Sequence, residues 1–301
     1  MNILIAGGTG FIGSILTKHF IGLGYVVYVL TRRVENLKTQ DSIVYLNDLT
    51  DQKLCFDVII NLSGEPLNKN RWNPVVKKRI YQSRIESTRK IVDYIQTAKI
   101  KPKVLISGSA IGYYGNSLDI TFSEDSMPAD SSFIHKICAD WEQAAMKASQ
   151  YGIRVCVIRT GIVLGRNHGI LAEMVPPFKL GLGAKLGDGQ QWMSWIHIED
   201  LVKAFDFFIL NSDLSGPFNL TAPYAVTSDQ FATELAKQLK RPLFIRLPRF
   251  IVKMIFGEMG EALMLNGQKV LPSKLINAGF KFNFQTIQDA LSNIFNSKQV
   301  N

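Results

Sequence analysis

The sequence predicts an α/β protein in which a doubly wound parallel sheet carries a small C-terminal α+β lid. Three observations lead there. Short apolar runs alternate with longer amphipathic ones through the first half of the chain. The first apolar run, beginning at Asn2, empties directly into a turn with glycines at Gly7, Gly10 and Gly13. From about Pro176 the alternation gives way to prolines, a glycine-rich loop and separated helical patterns.

The opening segment sets the first element. Asn2-Ile3-Leu4-Ile5-Ala6 reads as a strand, and an amphipathic stretch over 14–23 reads as the helix that follows the glycine turn. Gly7 permits the tight turn, Gly10 lets an anion approach bare backbone, and Gly13 lets the helix pack close to the strand. The helix N-terminus then offers unpaired N–H groups and a partial positive charge. This strand–glycine–helix context is that of a Rossmann-type dinucleotide site, with Gly7, Thr9, Gly10, Phe11, Ile12 and Gly13 expected against the pyrophosphate.

Further strands are expected at 25–30, 43–46, 57–61, 103–107 and 154–159, with helices at 74–98 and 132–151 between them. A sheet wound this way binds ligands at the carboxyl ends of its strands, which is where the polar motifs fall. Beyond Pro176-Pro177, helical patterns return at 198–211, 228–239 and 250–265. The expected division is a nucleotide-binding domain over 1–215, including parts of the substrate pocket, and a small C-terminal domain over 216–301 with Gly216-Pro217 as its punctuation.

Composition narrows the function classes. At 301 residues, 47% hydrophobic and 20% charged, the chain can build a sizeable core. No apolar run reaches the ~18 residues of a membrane span, no secretory signal is recognisable, and the three cysteines, Cys55, Cys138 and Cys156, show no metal-ligand spacing. A reducing cytoplasm, no membrane and no bound metal are the expectations. The net charge of +9 is spread over separate clusters, Lys77-Lys78-Arg79 in one helix and Lys237, Lys240, Arg241, Arg246 and Arg249 near the C-terminus. That scatter argues for solvated faces and a few cations near an anionic cofactor rather than a nucleic-acid stripe.

The end of the second strand, Thr31-Arg32-Arg33, sets the cofactor preference. A carboxylate here would bind a ribose 2′-hydroxyl, whereas a hydroxyl and a guanidinium suit a 2′-phosphate, so Thr31 and Arg32 predict NADP over NAD. Asp48, after the third strand, is either an acceptor for the adenine amino group or simply a turn residue. Leu62 and Ser63 offer backbone and a small side chain where the cofactor would cross the sheet. Arg84 either reaches the cofactor or pairs with Glu86 or Glu65.

The fifth strand ends in Ser107-Gly108-Ser109-Ala110-Ile111-Gly112-Tyr113-Tyr114-Gly115. Here the chain resembles the extended short-chain dehydrogenase/reductase superfamily. The resemblance implies that Ser109 hydrogen-bonds the substrate oxygen, and that a Tyr-x-x-x-Lys pair on the next helix supplies the proton. The pair is missing. Counting back from Glu142, the tyrosine position falls on Ile134 and the lysine position on Cys138. Tyr113, Tyr114, His135, Lys136 and Cys138 remain as alternatives, with Tyr113 the candidate acid and Cys138 equally readable as a small buried apolar residue.

A narrower resemblance rests on Asn61-Leu62-Ser63-Gly64-Glu65-Pro66, Arg71-Trp72, Ser83-Arg84-Ile85, Asp140-Trp141-Glu142, the run from Arg159 to Gly165, the run from Pro176 to Gly183, Trp192 to Asp200, and a tail through Gly257-Glu258 and Gly267 to Pro272. These are similar to an atypical branch of that superfamily, the NAD-dependent epimerase/dehydratase-like or nucleoside-diphosphate-sugar epimerase family with a small C-terminal domain. The resemblance covers nearly the whole chain. It implies hydride transfer with a small-molecule, nucleotide-sugar-like substrate, a substrate region around Gln191, Trp192, Ser194 and Trp195, and a homodimer. Two of those residues, Trp192 and Trp195, are equally readable as core anchors. The alternative to an enzyme is an NADP-binding sensor or scaffold that has lost its chemistry.

Overall fold

The structure, a computed structural model, describes residues 1–32, 34, 37, 42–51 and 54–296. The first half runs β1 (Asn2–Ala6), α1 (Phe11–Gly22), β2 (Val26–Leu30), β3 (Ile43–Leu46), β4 (Val58–Asn61), α2 (Pro74–Thr97) and β5 (Val104–Ala110). A short β6 (Thr121–Phe122), α3 (Phe133–Met146), β7 (Arg154–Thr160), β8 (Ile162–Gly165) and α4 (Gly169–Lys179) follow. Then come β9 (Ala184–Leu186), β10 (Trp192–Met193), β11 (Trp195–His197), α5 (Ile198–Leu210) and β12 (Gly216–Leu220). The last part holds β13 (Val226–Thr227), α6 (Ser228–Gln238), β14 (Ile245–Leu247), α7 (Arg249–Gly260), β15 (Lys269–Val270), α8 (Ser273–Asn277) and α9 (Ile287–Asn296).

Among the described residues, seven parallel strands form one sheet in the order β12-β7-β5-β4-β1-β2-β3. Alternation along β1 feeds both faces. Ile3 and Ile5 join the layer built with Phe20 of α1 and Phe205 and Phe208 of α5, while Leu4 and Ala6 join the layer built with Ile91 and Ile95 of α2 and Ala145 of α3. Both faces are covered, as near-continuous apolar strands require. A third core, around Trp195, Phe231, Leu235, Leu291 and Ile294, holds α6 and α9 in the C-terminal part.

Two expectations are corrected. The boundary at 215/216 cuts through the sheet, because Gly216–Leu220 is its outermost strand, paired from Gly216↔Cys156 to Leu220↔Thr160. Pro217 disguised it in the sequence, yet proline is tolerated on an edge strand, where one row of N–H groups has no partner to serve. And α4 runs through Pro176 and Pro177 to Lys179, where the sequence suggested a break. The remaining expected elements match within a few residues. The stretch expected over 132–151 divides into α3 and a tight turn over Lys147–Tyr151, and that expected over 250–265 divides at Gly257, whose φ is 62°.

Candidate functional site

The glycine turn is built as its spacing requires. Gly7 has φ 84°, and a Cβ there would lie 2.8 Å from the carbonyl oxygen of Leu62. A Cβ on Gly13 would lie 2.2 Å from the Gly7 oxygen, so α1 can pack on β1 only with glycine in that place. Gly10 is exposed, and its nearest obstacle is the Gly7 oxygen at 3.3 Å, which leaves its outer side open to a ligand. Asn73, Ser132 and Thr227 use their side chains to close the N-termini of α2, α3 and α6. At α1 the cap residue is Gly10, with no side-chain acceptor and no acid in the first turn. An anion there meets open N–H groups and the positive end of the helix. Thr9 is exposed beside the turn, Ile12 is half-buried, and Phe11 turns away to stack on His168 with ring centroids 4.7 Å apart.

The other expected cofactor residues surround this turn. Arg32 is exposed at the carboxyl end of β2, next to Thr31, whose backbone N–H donates to Leu46. Arg33 lies outside the described residues. Asp48 closes a turn: its Oδ1 accepts from the Thr50 N–H at 3.0 Å and the Thr50 hydroxyl at 2.6 Å, bonds that hold its carboxyl below the usual range. Leu62 abuts Gly7, and the Ser63 N–H donates to Asn61 Oδ1 at 3.2 Å. Arg84 makes neither carboxylate pair considered from the sequence. Its Nη1 donates to the carbonyls of Ile80 and Glu65, and its guanidinium packs where a Cβ on Gly64 would stand. Arg84 thus shapes the loop after β4. The Glu65 carboxylate pairs with Arg79 at 2.7 Å.

A polar row that the sequence did not disclose crosses the carboxyl ends of three strands. Ser109, Arg159 and Asn219 are lateral neighbours on β5, β7 and β12. Arg159 makes a bidentate pair with Glu142 of α3, Nε to Oε1 and Nη2 to Oε2, each 2.9 Å. Burial works against the charge on Arg159, but Glu142 outweighs it and keeps the guanidinium protonated. The Ser109 hydroxyl donates to Glu142 Oε1 at 2.7 Å. Tyr114 accepts from Arg159 Nη1 at 2.9 Å and donates to Asn219 Oδ1 at 2.7 Å, and burial pushes its phenol up to about 12. Tyr113 lies with its ring centroid 3.5 Å from the Arg159 guanidinium carbon, and its carbonyl meets His135 Nδ1 at 2.5 Å.

The missing proton-transfer pair is explained by what fills its place. The Ile134 side chain reaches to 2.3 Å of where a Gly112 Cβ would be, with the Cys138 sulfur 3.9 Å away. Burial, with Glu142 nearby, pushes the Cys138 thiol up to about 12, so this position holds a neutral group instead of a cation.

Next to Gly112 opens a cleft of about 90 Å³. One wall is Gly112, Gly115 and the first turn of α3, Ser132, Phe133 and Ile134; the other is Glu258, Ala262, Asn266 and Gln268; Trp72, Asn116 and Asp130 complete it. Gly115, with φ 75°, must be glycine because the Asp130 carboxylate occupies the space of its Cβ, 2.5 Å from Cγ. Burial opposes ionisation of Asp130, but N–H bonds from Ser132 and Asn116, both 2.9 Å, prevail and keep its carboxyl below the usual range. The Ser109 and Tyr113 side chains are not among the lining groups.

None of the four residues expected to touch substrate lines this cleft. Trp195 is fully buried, its indole N–H on the Tyr224 carbonyl. The Ser194 hydroxyl donates to the Gln268 carbonyl and accepts from the Val270 N–H, both 2.9 Å. Gln191 donates to Met264 at 2.8 Å, and the Trp192 indole donates to Leu118 at 2.8 Å. A Cβ on Gly267 would lie 2.2 Å from the Trp192 oxygen. These side chains seat residues 264–270, which carry Asn266 and Gln268 of the far wall, and their aromatic and polar character serves that seam. The signal available in the sequence was Glu258 and Asn266-Gly267-Gln268 in the tail, but nothing local pairs them with Asp130. A second depression, around Arg154 and Ser212, lies at the amino ends of β7 and β12, away from the glycine turn.

Comparison with known proteins shows the family and the fold. A family described as "NAD dependent epimerase/dehydratase family" matches residues 3–227, and a domain of unknown function, DUF1731, matches residues 247–294. The epimerase family protein YfhF of Bacillus subtilis is 38% identical over 300 residues, covering 98% of each chain. A chloroplastic SDR39U1 homologue of Arabidopsis thaliana is 38% identical over 97% of this chain and 86% of its own. The crystal structure of human epimerase family protein SDR39U1 with NADPH superposes with a TM-score of 0.89 at 32% identity, covering 98% of this chain and 99% of that one. Among the described residues no helix is long and apolar enough to cross a membrane.

Proposed function

The chain belongs to the NAD dependent epimerase/dehydratase family, and from that premise we propose that it binds NADP(H) and transfers hydride to or from a hydroxyl or keto carbon held at the carboxyl ends of β5 and β7, beside Ser109 and Tyr113. The observation that carries the reading is the open N-terminus of α1 behind a turn that excludes side chains at Gly7 and Gly13, with Arg32 exposed at the end of the neighbouring strand. NADP(H), when bound, supplies or accepts the hydride. Phe11, Ile12 and Gly13 present N–H groups to the pyrophosphate, Gly10, whose own N–H closes the turn onto the Gly7 carbonyl, lets it approach bare backbone, Thr9 flanks it, and Arg32 with Thr31 meets the 2′-phosphate. Asp48, Leu62 and Ser63 border the remaining length of the cofactor, and Arg84 keeps the loop after β4 in shape. The human relative crystallised with NADPH supports the preference for the phosphorylated cofactor.

Ser109 orients the substrate oxygen in this reading and Tyr113 exchanges the proton, its ring fixed against Arg159. A second reading, binding without turnover, is favoured by Ile134 and Cys138 in the positions of a proton-transfer pair. Calorimetric titration with NADPH, NADP, NADH and NAD tests the first claim. NADPH is expected to bind at least about tenfold more tightly than NADH, and Arg32→Glu to erase the difference; equal affinities would refute it. Tyr113→Phe separates the two readings. In an enzyme it abolishes NADPH consumption with a carbonyl substrate and leaves NADPH affinity unchanged.

A further inference from the structure

We infer that two neighbouring loop tips in the C-terminal part of the chain dock on an anionic lipid surface. The inference goes beyond the cofactor reading and does not rest on it.

A two-stranded ribbon brings the tips together. β9 and β14 run parallel and pair from Ala184↔Ile245 to Leu186↔Leu247. The segments that lead into them, 179–183 after α4 and 240–244 after α6, therefore emerge side by side. Both are anchored from behind. The Leu182 N–H donates to the Pro177 carbonyl at 2.9 Å, and a Cβ on Gly183 would lie 2.8 Å from the ring of Phe178, which is buried. Leu243 packs against the core around Phe231, and in an extended chain the next side chain, Phe244, then faces outward.

What faces outward is apolar. Phe244 is 92% exposed, Leu180 76% and Leu182 60%. One such residue would need no explanation, but three on neighbouring tips make a patch. The same tips carry Lys179, Lys240 and Arg241, all exposed and, among the described residues, in no ion pair. Helix carboxyl ends favour cations, which accounts for their charge but not for their apolar company. Nor does it account for a lysine at 240, where φ is 54°, a conformation that favours glycine. Residues 174–187 and 235–257 include no aspartate or glutamate. Asp229, which meets the ribbon, is already paired with Lys185 and Arg246.

This combination selects the occupant. Apolar side chains enter the boundary between headgroups and acyl chains, while lysine and arginine reach the phosphates of anionic lipids. A second copy of the chain, docked about a two-fold axis, would bring these cations against their own counterparts. A shaped peptide ligand calls for a groove, and none of these six side chains lines either depression described above. Attachment of this kind needs no spanning helix.

The test is sedimentation of the full-length protein with vesicles of phosphatidylcholine alone, and of phosphatidylcholine and phosphatidylglycerol in equal parts. Binding to the mixed vesicles is expected to exceed binding to the neutral ones at least about tenfold, and to weaken as salt is added. Phe244→Ser, which leaves the charge unchanged at a position outside the cores, is expected to weaken it at least about fivefold. Lys240→Glu combined with Arg241→Glu is expected to abolish the preference for the anionic lipid. Lys78→Glu combined with Lys147→Glu, the same change of charge at exposed positions elsewhere, is expected to keep it. Circular dichroism checks that each variant is folded, and the parent's choice between the two vesicles stands as a test without them. No sedimentation with either vesicle, equal sedimentation with both, or unchanged binding by Phe244→Ser would overturn the inference. So would equal losses in the two charge-reversed proteins. A parent dimer that Phe244→Ser dissociates would also overturn it, by giving the patch to a second copy.

Discussion

Gly13 cannot accept a side chain without moving a strand. Its Cβ would meet the Gly7 oxygen at 2.2 Å and the Gly8 Cα at 2.7 Å, and neither can swing aside as a side-chain tip would. Gly13→Ala is therefore expected to cost about 1–3 kcal/mol of stability, read from urea midpoints, and to weaken NADPH binding more than tenfold. Gly8 is nearly as tight, its Cβ position lying 2.9 Å from both methyls of Val29, although the motif spacing did not single it out. The turn glycines were legible because their reason is local: strand, turn and helix lie within a dozen residues. Asp130 and Glu258 were not, since what makes each informative is a neighbour far away in sequence, Gly115 for one and Lys77 for the other. Ser194 and Trp195 misled for a related reason. Polar and aromatic character suits a ligand wall and an internal seam equally well, and only burial tells them apart.

Between elements, α3 is tied to β7 by the buried bidentate pair of Glu142 and Arg159, whose side chains are 11% and 4% exposed. Removing one partner leaves the other buried and uncompensated. Glu142→Gln is expected to destabilise by about 3–5 kcal/mol in chemical denaturation and to release Ser109 and Tyr113 from their fixed positions. His197, at the junction of β11 and α5, gives a pH signature. Burial pushes its pKa from 6.5 down to about 4, with a hydrogen bond to Asn293 opposing. The unfolded chain therefore takes up this proton first as pH falls. The stability involved is complete above about pH 6.5 and is lost progressively toward pH 4, on the order of 3 kcal/mol in all. Denaturation midpoints at pH 7.5 and pH 5 should diverge in the parent and converge in His197→Asn, which retains a side-chain acceptor for the Glu199 N–H. Element types were readable from periodicity, and β3 over 43–46 needed no correction. The errors fell on prolines, because edge position and helix continuation depend on neighbours that a local pattern does not contain.

Across the whole molecule, the two functional halves are interleaved rather than appended. β12 closes the sheet only after β8 to β11 have been laid down, and Glu124 then binds the Asn219 N–H at 3.0 Å and the Lys274 N–H at 3.2 Å. The C-terminal tail is fastened back to α5 by Asp200, which takes the N–H groups of Asn283 and Phe284 at 2.7 and 2.9 Å. Asp200→Ala leaves both donors without their acceptor and is expected to cost about 2–4 kcal/mol, with early proteolysis after residue 282 as the measured sign. Truncation at 215 is expected to give a chain that neither unfolds cooperatively nor holds NADPH, because the edge of β7 and the partner of Tyr114 leave together.

The position of β12 also sets an order of events on the ribosome. Strands β1 to β5 and the glycine turn leave it well before residues 216–220, and the far wall of the cleft, at Glu258 to Gln268, emerges later still. Domains fold from the N-terminus as they are made. A nascent chain that has reached residue 220 therefore has the glycine turn and the closed sheet while the far wall of the cleft does not yet exist, and cellular cofactor supply is expected to act on the yield of finished protein as well as on its activity.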